Sequence, residues 1–288
     1  MRAMKIATPP PETIDFHGLP AVRIVSPDGA AAVVTLHGGQ LVSWIPAGGR
    51  ERLFLSERAR FAPGQAIRGG VPVIFPQFAD DGPLPRHGFA RTAEWSLLDA
   101  RVGEGYACAT LRLTDSEATR ALWPHPFVAE LTVMIEGKRL DVEFEVENTG
   151  ADGFSFTAAL HSYFNVARAD MCRVQGLEGL DYIDRADGGK RKREEVEAMH
   201  FEAEVDRVYL RADKPLLLWE PARSLAIESE GFPDVVLWNP WEEKGDTLPD
   251  MAPRAFRDMV CIEAAAVARP LVLAGGQRWF GRQTAIAL

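Results

Sequence analysis

The sequence is poor in cysteine, and Cys108, Cys172 and Cys261 lie far apart along its 288 residues. An odd count without a CxxC pair gives no support to a disulfide framework or a structural zinc site. No apolar run approaches the roughly 18 residues of a membrane span, so we expect no membrane association. The N-terminal stretch MRAMKIATPPPETIDF lacks the apolar region of a secretory signal, and we therefore expect a cytoplasmic protein.

Positive charge is also scarce, since the formal net charge is -9. A nucleic-acid binder or a binder of acidic membranes needs a basic face, so the charge balance argues against both classes. The stretch LPRHGFARTAEW (84–95) nevertheless places Arg86 and Arg91 around His87, and Arg68 lies shortly upstream in IRGGVPVIFPQF. Guanidinium groups bind phosphate oxygens in a two-pronged geometry. This part of the chain therefore predicts a local site for a small anion.

Helical periodicity is weak, and most of the chain alternates apolar and polar residues. AELTVMI and LDVEFEVEN, joined by EGKR, predict a hairpin, and AAVVTLHGGQLVSWIP (31–46) predicts two strands around a Gly pair. SLAIESEGFPDVVLWNPW predicts two further strands, and FSFTAALHSYFNV (154–166) one more. Only TDSEATRALWP (114–124) has helix start and stop signals, with Asp115 or Ser116 as cap. We therefore predict an all-β protein, one large antiparallel sandwich with few short helices.

Linker-like segments are absent from the sequence, because glycine and proline are spread along the whole chain. We therefore expect one domain over residues 1–288, with 1–16 as an extended N-terminal segment. KRKREEVEAMHFEAEVDR (190–207) has a helical composition, but the overlapping RADGGKRKREE (185–195) is better explained as a solvated charged loop. No coiled-coil seam or dimer motif is visible, so we expect a monomer.

Four titratable residues are candidates for chemistry. Glu263 lies in the apolar stretch MVCIEAAAV, where a carboxylate is costly without a partner, which favours a pocket over a strand end turned to solvent. His161 lies on an aromatic, otherwise apolar strand, and alternation places it on the face of Tyr163, opposite Ser162 and Phe164. Taken alone it is more simply a core histidine. His87 is either a ligand-facing group or a loop histidine bonded to a backbone carbonyl, and Asp206 alone is weak.

Several catalytic motifs are missing, namely GxxxxGK[ST], HExxH, GxSxG and the full dinucleotide fingerprint. The histidines are not spaced as a local metal cluster. A cupin-like metal site would require His87, His161 and Glu263 to converge, and this stays a minor alternative.

The order of IRGGVPVIFPQF, LPRHGFART, ALHSYFNV, DRVYL, WNPW and MVCIEAA resembles the hexose-6-phosphate mutarotase (glucose-6-phosphate 1-epimerase) branch of the aldose 1-epimerase superfamily, from about Leu36 to Leu288. The resemblance implies a galactose mutarotase-like β-supersandwich with an open cleft. It also implies exchange between the α and β anomers of a 6-phosphorylated hexose, without cofactor or metal. A small sugar phosphate would be the only partner.

Site residues carry over from this resemblance by position. His161 and Glu263 match the catalytic pair, and Arg68, Arg91 and Asp206 match substrate-contacting positions. His87 matches the second histidine of the superfamily. At position 86 relatives often have glutamine, so Arg86 is a departure that leaves this contact open and can shift substrate preference.

The expected chemistry uses Glu263 as carboxylate base on the anomeric hydroxyl and His161 as imidazolium acid on the ring oxygen. His87 and Asp206 would hold hydroxyls in line, and the arginines would bind the phosphate. Two alternatives stay open. One is an aldose 1-epimerase acting on sugars without phosphate, and the other is a non-catalytic sugar-phosphate binding module.

Overall fold

A computed structural model describes residues 9–221 and 223–288. The first half of the chain forms strands β1 (Glu12–Phe16), β2 (Leu19–Val25), β3 (Ala31–Thr35), β4 (Gln40–Ile45), β5 (Val73–Ile74), β6 (Ser96–Val102), β7 (Ala107–Thr114), β8 (Phe127–Glu136) and β9 (Arg139–Asn148). The second half forms β10 (Phe154–Leu160), β11 (Tyr163–Asn165), β12 (Arg173–Gln175), β13 (Asp181–Asp184), β14 (Lys190–Arg193), β15 (Ala198–His200), β16 (Val205–Leu210), β17 (Leu216–Trp219), β18 (Leu225–Glu230), β19 (Asp234–Asn239), β20 (Met259–Leu273) and β21 (Arg278–Ala287). The helices of these residues are α1 (Glu117–Leu122) and α2 (Trp241–Thr247), with 3₁₀ turns at Ala90–Thr92, Ala169–Met171 and Ala255–Asp258.

These strands form three sheets with antiparallel pairing. A four-stranded sheet has the order β1-β2-β3-β4, and a nine-stranded sheet has the order β15-β12-β17-β18-β21-β9-β8-β7-β6. An eight-stranded sheet has the order β14-β13-β16-β19-β20-β10-β5, and its remaining strand β11 also pairs with β20. The prediction of an all-β antiparallel sandwich is confirmed.

The main core lies between the large sheets, as the period-two pattern requires. In β8 the alternate residues Phe127 to Ile135 are fully buried, while those between them are partly exposed. The ring of Phe75, just after β5, lies 5.3 Å from Phe127 and 5.8 Å from Phe144 of the nine-stranded sheet. It lies 5.4 Å from Phe156 in β10 of the eight-stranded sheet. The two sheets therefore meet around this aromatic cluster.

The predicted hairpins and the predicted helix are present. β8 and β9 pair through a tight turn, and β3 and β4 flank the Gly38-Gly39 pair. Helix α1 begins at Ser116, whose side chain accepts a hydrogen bond from the Thr119 N–H. A capped first turn and Pro124 after the helix explain why this short segment is helical.

The two strands predicted in SLAIESEGFPDVVLWNPW are present as β18 and β19, and they belong to different sheets. Two expectations need correction. Residues 154–166 form two strands, because the chain breaks at His161 and Ser162 between β10 and β11. The charged segment 190–207 is not a helix, and the loop expected over 185–195 is only partly correct, because 185–189 form a turn whereas 190–193 form β14. Strand β15 and the start of β16 follow, joined by irregular residues. β14 is an edge strand stabilised by cross-strand ion pairs such as Arg191 with Asp181.

The N-terminal prediction is only partly covered by the structure. Residues 1–8 lie outside the described residues, and 12–16 form β1, which pairs with β2. The expectation of an extended segment over 1–16 therefore stays a prediction for its first half.

Candidate active site

One cavity of about 640 Å³ lies on a face of the eight-stranded sheet. Its floor comes from β16, β19 and β20, and its wall comes from the chain around residues 78–91. It is lined by every side chain that the sequence predicted for the site: Arg68, Arg86, His87, Arg91, His161, Asp206 and Glu263. These residues span almost two hundred positions in sequence, so only the sheet pairing brings them together.

Strand geometry explains the position of the two central groups. Glu263 lies within β20, between β10 and β19, and stands opposite Val236. It is 1% exposed, which excludes a strand-end glutamate turned to solvent. His161 follows β10 directly, and its N–H donates to the carbonyl of Pro72 at 3.0 Å.

The predicted face of His161 is confirmed. Its ring stacks on Tyr163 with a centroid distance of 4.7 Å and an angle of 10° between the ring planes. Ser162 points the other way and hydrogen bonds Gln283 of the nine-stranded sheet at 2.5 Å. The sheet therefore presents His161 to the cavity and Ser162 to the core.

His161 and Glu263 face each other, with 3.3 Å between Nε2 and Oε1. Burial, reinforced by the negative charge of Asp206, raises the pKa of Glu263 well above its ordinary value. Burial, reinforced by Arg68 and Arg91, lowers the pKa of His161 well below its ordinary value. Both shifts favour a protonated Glu263 beside a neutral imidazole when no ligand is bound. The expected carboxylate and imidazolium pair is therefore not the form that the empty site favours.

Each member of this pair also has an atom available for a ligand. Among the described residues, His161 Nδ1 and Glu263 Oε2 are buried without a hydrogen-bond partner. The same holds for the Nε atoms of Arg68 and Arg91. Buried polar atoms without partners are rare and costly, and here these four, together with Arg185 Nε, belong to residues that line one cavity. The site therefore has hydrogen-bonding capacity that the protein itself does not use.

His87 lies in a strained loop, and its ring bonds a backbone N–H group and not the backbone carbonyl expected for an ordinary loop histidine. Its φ is +66°, an uncommon value for a residue with a side chain. Its Nδ1 accepts a hydrogen bond from the Ala79 N–H at 3.2 Å, so the proton of the neutral ring is on Nε2. Burial, with the charge of Arg91, lowers the pKa of His87. His87 is thus a neutral donor, with its ring 5.7 Å from that of His161.

Gly88 makes this loop position accessible. Its φ is +70°, and a Cβ atom there would lie 2.1 Å from the carbonyl oxygen of Phe75. A side chain at position 88 would therefore push the loop away from the sheet and would move His87.

The three arginines differ in their partners. Arg68 is bound to Asp250 at 3.1 Å and to the Tyr163 hydroxyl at 3.0 Å. Arg86 is largely exposed and paired with Asp80. Arg91 donates to the carbonyl of Arg86 at 2.8 Å and, within the described residues, has no carboxylate in salt-bridge range. Burial, with the nearby Arg68 and Arg86, lowers the pKa of Arg91 to about 10. Arg91 is therefore the cation most in need of an anionic ligand.

Sequence reasoning missed two further cations at the cavity. Arg185 pairs with Asp81 and places its guanidinium carbon 5.2 Å from the Phe78 ring centroid. Its backbone N–H donates to the Asp206 carbonyl at 2.7 Å. Lys244 of α2 lies 3.9 Å from the Asp206 carboxylate. Arg185 follows β13 and begins the stretch RADGGKRKREE, for which the sequence predicts a solvated loop. No local signal in that stretch distinguishes Arg185 from its charged neighbours.

Metal binding gains no support from the described geometry. His87, His161 and Glu263 do line one cavity, as the cupin-like alternative required. Yet within residues 9–221 and 223–288 no group of three or more His, Cys, Asp or Glu side chains is placed to hold a metal ion.

In the same residues no helix is both long and apolar enough to cross a membrane.

Comparisons with known proteins concern the whole chain. The family described as Aldose 1-epimerase matches residues 20–285. A protein of Cenchrus ciliaris named "Putative glucose-6-phosphate 1-epimerase" is 38% identical over 275 residues, covering 92% of this chain and 84% of that protein. A protein of Escherichia coli K12 with the same name is 36% identical over 239 residues, covering 81% and 79%.

Solved structures show the same architecture. A crystal structure from Salmonella typhimurium, described as a "putative mutarotase", is 30% identical, has a TM-score of 0.89 and covers 99% of this chain and 95% of its own. A galactose 1-epimerase from Lactobacillus acidophilus has a TM-score of 0.73 at 13% identity, covering 96% and 98%. The second likeness concerns the fold alone.

The raised pKa of Glu263 predicts a pH-dependent cost of folding. Above its ordinary value of 4.5 the folded chain keeps a proton at Glu263 that the unfolded chain releases, so this group lowers stability as pH rises. Glutamine does not titrate. The free energy of unfolding of Glu263→Gln, relative to wild type, should therefore increase from about pH 5 to about pH 8 in urea denaturation.

The slope from His161 has the opposite sign, because its lowered pKa makes the unfolded chain bind the extra proton below 6.5. This contribution of His161 is present in wild type and in Glu263→Gln, so it cancels to first order when their free energies of unfolding are compared. A stability difference that does not change with pH would contradict the raised pKa.

Proposed function

The chain belongs to the aldose 1-epimerase family, and we propose that it interconverts the α and β anomers of a hexose 6-phosphate, with glucose 6-phosphate as the expected substrate. One observation carries the proposal. An opposed His161 and Glu263 pair, 3.3 Å apart, shares its cavity with the half-buried Arg91, which has no carboxylate in salt-bridge range among the described residues. The pair suits proton transfer to a sugar ring, and the arginine suits a phosphate.

Anomer exchange needs one proton to leave and one to arrive. Glu263 as carboxylate takes the proton of the anomeric hydroxyl, the bond between C1 and the ring oxygen breaks, and His161 as imidazolium protonates that oxygen. The product of this step is the open-chain aldehyde. After rotation about the C1–C2 bond the reverse transfers close the ring on the other face of C1. No proton is gained or lost overall, so no external reagent is consumed.

The two forms of the pair then correspond to two stages of the reaction. The charge-separated form acts on the ring, and the neutral form, with the proton on Glu263, accompanies the open chain. The empty site favours the neutral form because burial disfavours both charges. Binding of the ring form must therefore stabilise a proton on His161.

The phosphate supplies that stabilisation. After burial, Arg68 and Arg91 are the main causes of the lowered pKa of His161. A dianion bound at these arginines would offset their positive field and raise the pKa of His161, which favours the imidazolium. The phosphate then assists proton transfer as well as binding. Arg86 at the mouth of the cavity can join once it releases Asp80, since both side chains are largely exposed.

The rival functions differ in what they require. An epimerase for sugars without phosphate needs the acid and base but not an arginine in the cavity, such as Arg91, that lacks a carboxylate among the described residues. A binding module needs the arginines but not a carboxyl group buried at 1% exposure opposite an imidazole. The naming of the relatives as glucose-6-phosphate 1-epimerases supports the phosphate. A cytoplasmic location and a monomeric state stay predictions.

Glu263→Gln tests the reaction itself. Loss of the base should slow anomer exchange of glucose 6-phosphate by roughly 100- to 10,000-fold, measured by NMR magnetisation transfer at equilibrium. Binding, followed by calorimetric titration, should persist because the arginines remain. Glu178→Gln, an exposed glutamate that does not line the cavity, is the matched control and should keep full activity. Full exchange activity in Glu263→Gln would refute the assignment of the base.

Arg91→Gln tests the phosphate. It should lower kcat/KM for glucose 6-phosphate by roughly 10- to 100-fold, the usual cost of one hydrogen-bonded charge. Exchange of free glucose should not fall, because the substitution removes a positive charge that disfavours a proton on His161. Arg60→Gln, an exposed arginine that does not line the cavity, serves as control. Equal losses on both sugars would favour the epimerase for sugars without phosphate.

The proposed effect of the phosphate on proton transfer can be tested by supplying the substrate as two separate molecules. Xylose has the sugar ring but lacks C6 and its phosphate, and inorganic phosphite supplies the missing dianion. Phosphite should accelerate xylose anomer exchange by about 5-fold or more in wild type, a typical coupling between two sites. It should have no effect in Arg91→Gln. Acceleration that is the same in both proteins would show that the phosphite acts elsewhere.

A further inference from the structure

A second cavity, of about 560 Å³, lies on the same sheet as the active site. Its lining includes Arg191 and Arg193 of β14, Arg211 after β16, and Arg269 of β20. Two acidic residues, Asp181 and Asp234, also line it. None of these side chains lines the active-site cavity.

The strand register places the two cavities on one face of the eight-stranded sheet. In β16, Asp206 lines the active site and Leu210 lines the second cavity. These residues are four positions apart, so they share a face and lie about 13 Å apart along the strand. Between them Val208 packs in a small apolar cluster with Phe78, Val236 and Ala265. The second cavity is therefore a separate site and not an extension of the active-site cleft.

The charges in this cavity do not balance. Four arginines and two aspartates leave a local charge of +2 in a chain whose net charge is -9. Asp181 is paired with Arg191 at 2.8 Å and with Arg193 at 3.6 Å. Asp234 is occupied by the N–H groups of Val267 and Ala268, at 3.1 and 2.9 Å. Within the described ranges, Arg211 and Arg269 have no carboxylate in salt-bridge range.

The backbone at Arg211 adds to this pattern. Its φ is +56°, in the left-handed region that residues with a Cβ atom rarely adopt. Such conformations cost free energy, and they are concentrated at functional sites. Arg211 directly follows β16, and it lines the cavity at this turn of the chain.

We infer that this cavity is a second anion site, which binds the phosphoryl group of a small phosphorylated molecule through Arg211 and Arg269. The volume is in the range of small-molecule pockets and is unlike the flat basic face that a nucleic acid needs. Two free guanidinium groups match the two charges of a phosphate dianion. The inference goes beyond anomer exchange and does not depend on it.

The test separates the two anion sites by mutation. Inorganic phosphate is titrated calorimetrically into Arg91→Gln, in which the active site binds phosphate weakly. This protein should still bind about one phosphate per chain, and the affinity should fall as salt rises. Adding Arg211→Gln and Arg269→Gln should weaken that binding at least ten-fold. Adding Arg23→Gln and Arg60→Gln instead removes two exposed arginines that do not line this cavity, and should leave binding unchanged.

The outcomes distinguish this site from the catalytic one. Phosphate binding that survives loss of Arg211 and Arg269, or no binding in Arg91→Gln, would overturn the inference. In the otherwise wild-type chain, Arg211→Gln with Arg269→Gln should leave the rate of anomer exchange unchanged. Failure of the second anion site and failure of the proposed function are therefore distinguished by separate measurements. A parallel titration with glycerol phosphate identifies the ligand source. Tighter binding than inorganic phosphate indicates a phosphate ester, and equal binding indicates the free anion.

Discussion

The contact between Glu263 and His161 is the constraint on which the rest of the site depends. A carboxyl group that is 1% exposed can stay inside a sheet only if its charge is matched or its proton is retained. The imidazole at 3.3 Å allows both, since one proton can be on either group. Burial favours the neutral form of the pair, with the proton on Glu263. In the proposed reaction a bound dianion would shift this balance towards the charged form.

The arginines control the balance between these two forms. Arg68 is fixed by Asp250 and Tyr163, whereas Arg91 is half-buried and has no carboxylate in salt-bridge range among the described residues. Their joint field disfavours a proton on His161, and a bound dianion would remove that effect. In the proposed reaction, substrate binding and the protonation of His161 would thus be linked through the charges of Arg68 and Arg91. The acidic surface elsewhere makes such local cation clusters stand out, and the same logic applies to Arg211 and Arg269 in the second cavity.

Loops at the mouth of the site are held by charge pairs to the sheet. Asp81 in the loop that carries His87 pairs with Arg185, and the backbone of Arg185 bonds to that of Asp206. This joins the loop to the floor of the cavity. His87 itself depends on a left-handed backbone and on Gly88, whose close approach to Phe75 leaves no space for a side chain. His87 is therefore placed by loop geometry, whereas Glu263 lies within β20 and His161 lies between β10 and β11.

The sequence alone determined the strands and the candidate residues. Period-two alternation identified β3, β4, β8 and β9, because burial on one face of a strand leaves that trace in the chain itself. The family motifs identified His161, Glu263 and the arginines, although their roles stay predictions. Tertiary structure decided the partners. It assigned β18 and β19 to different sheets, formed a strand from the charged residues 190–193, and brought Arg185 and Lys244 to the cavity. The reason is physical: sheet pairing, burial and ionisation depend on neighbours that are distant in sequence, and local patterns carry no information on them.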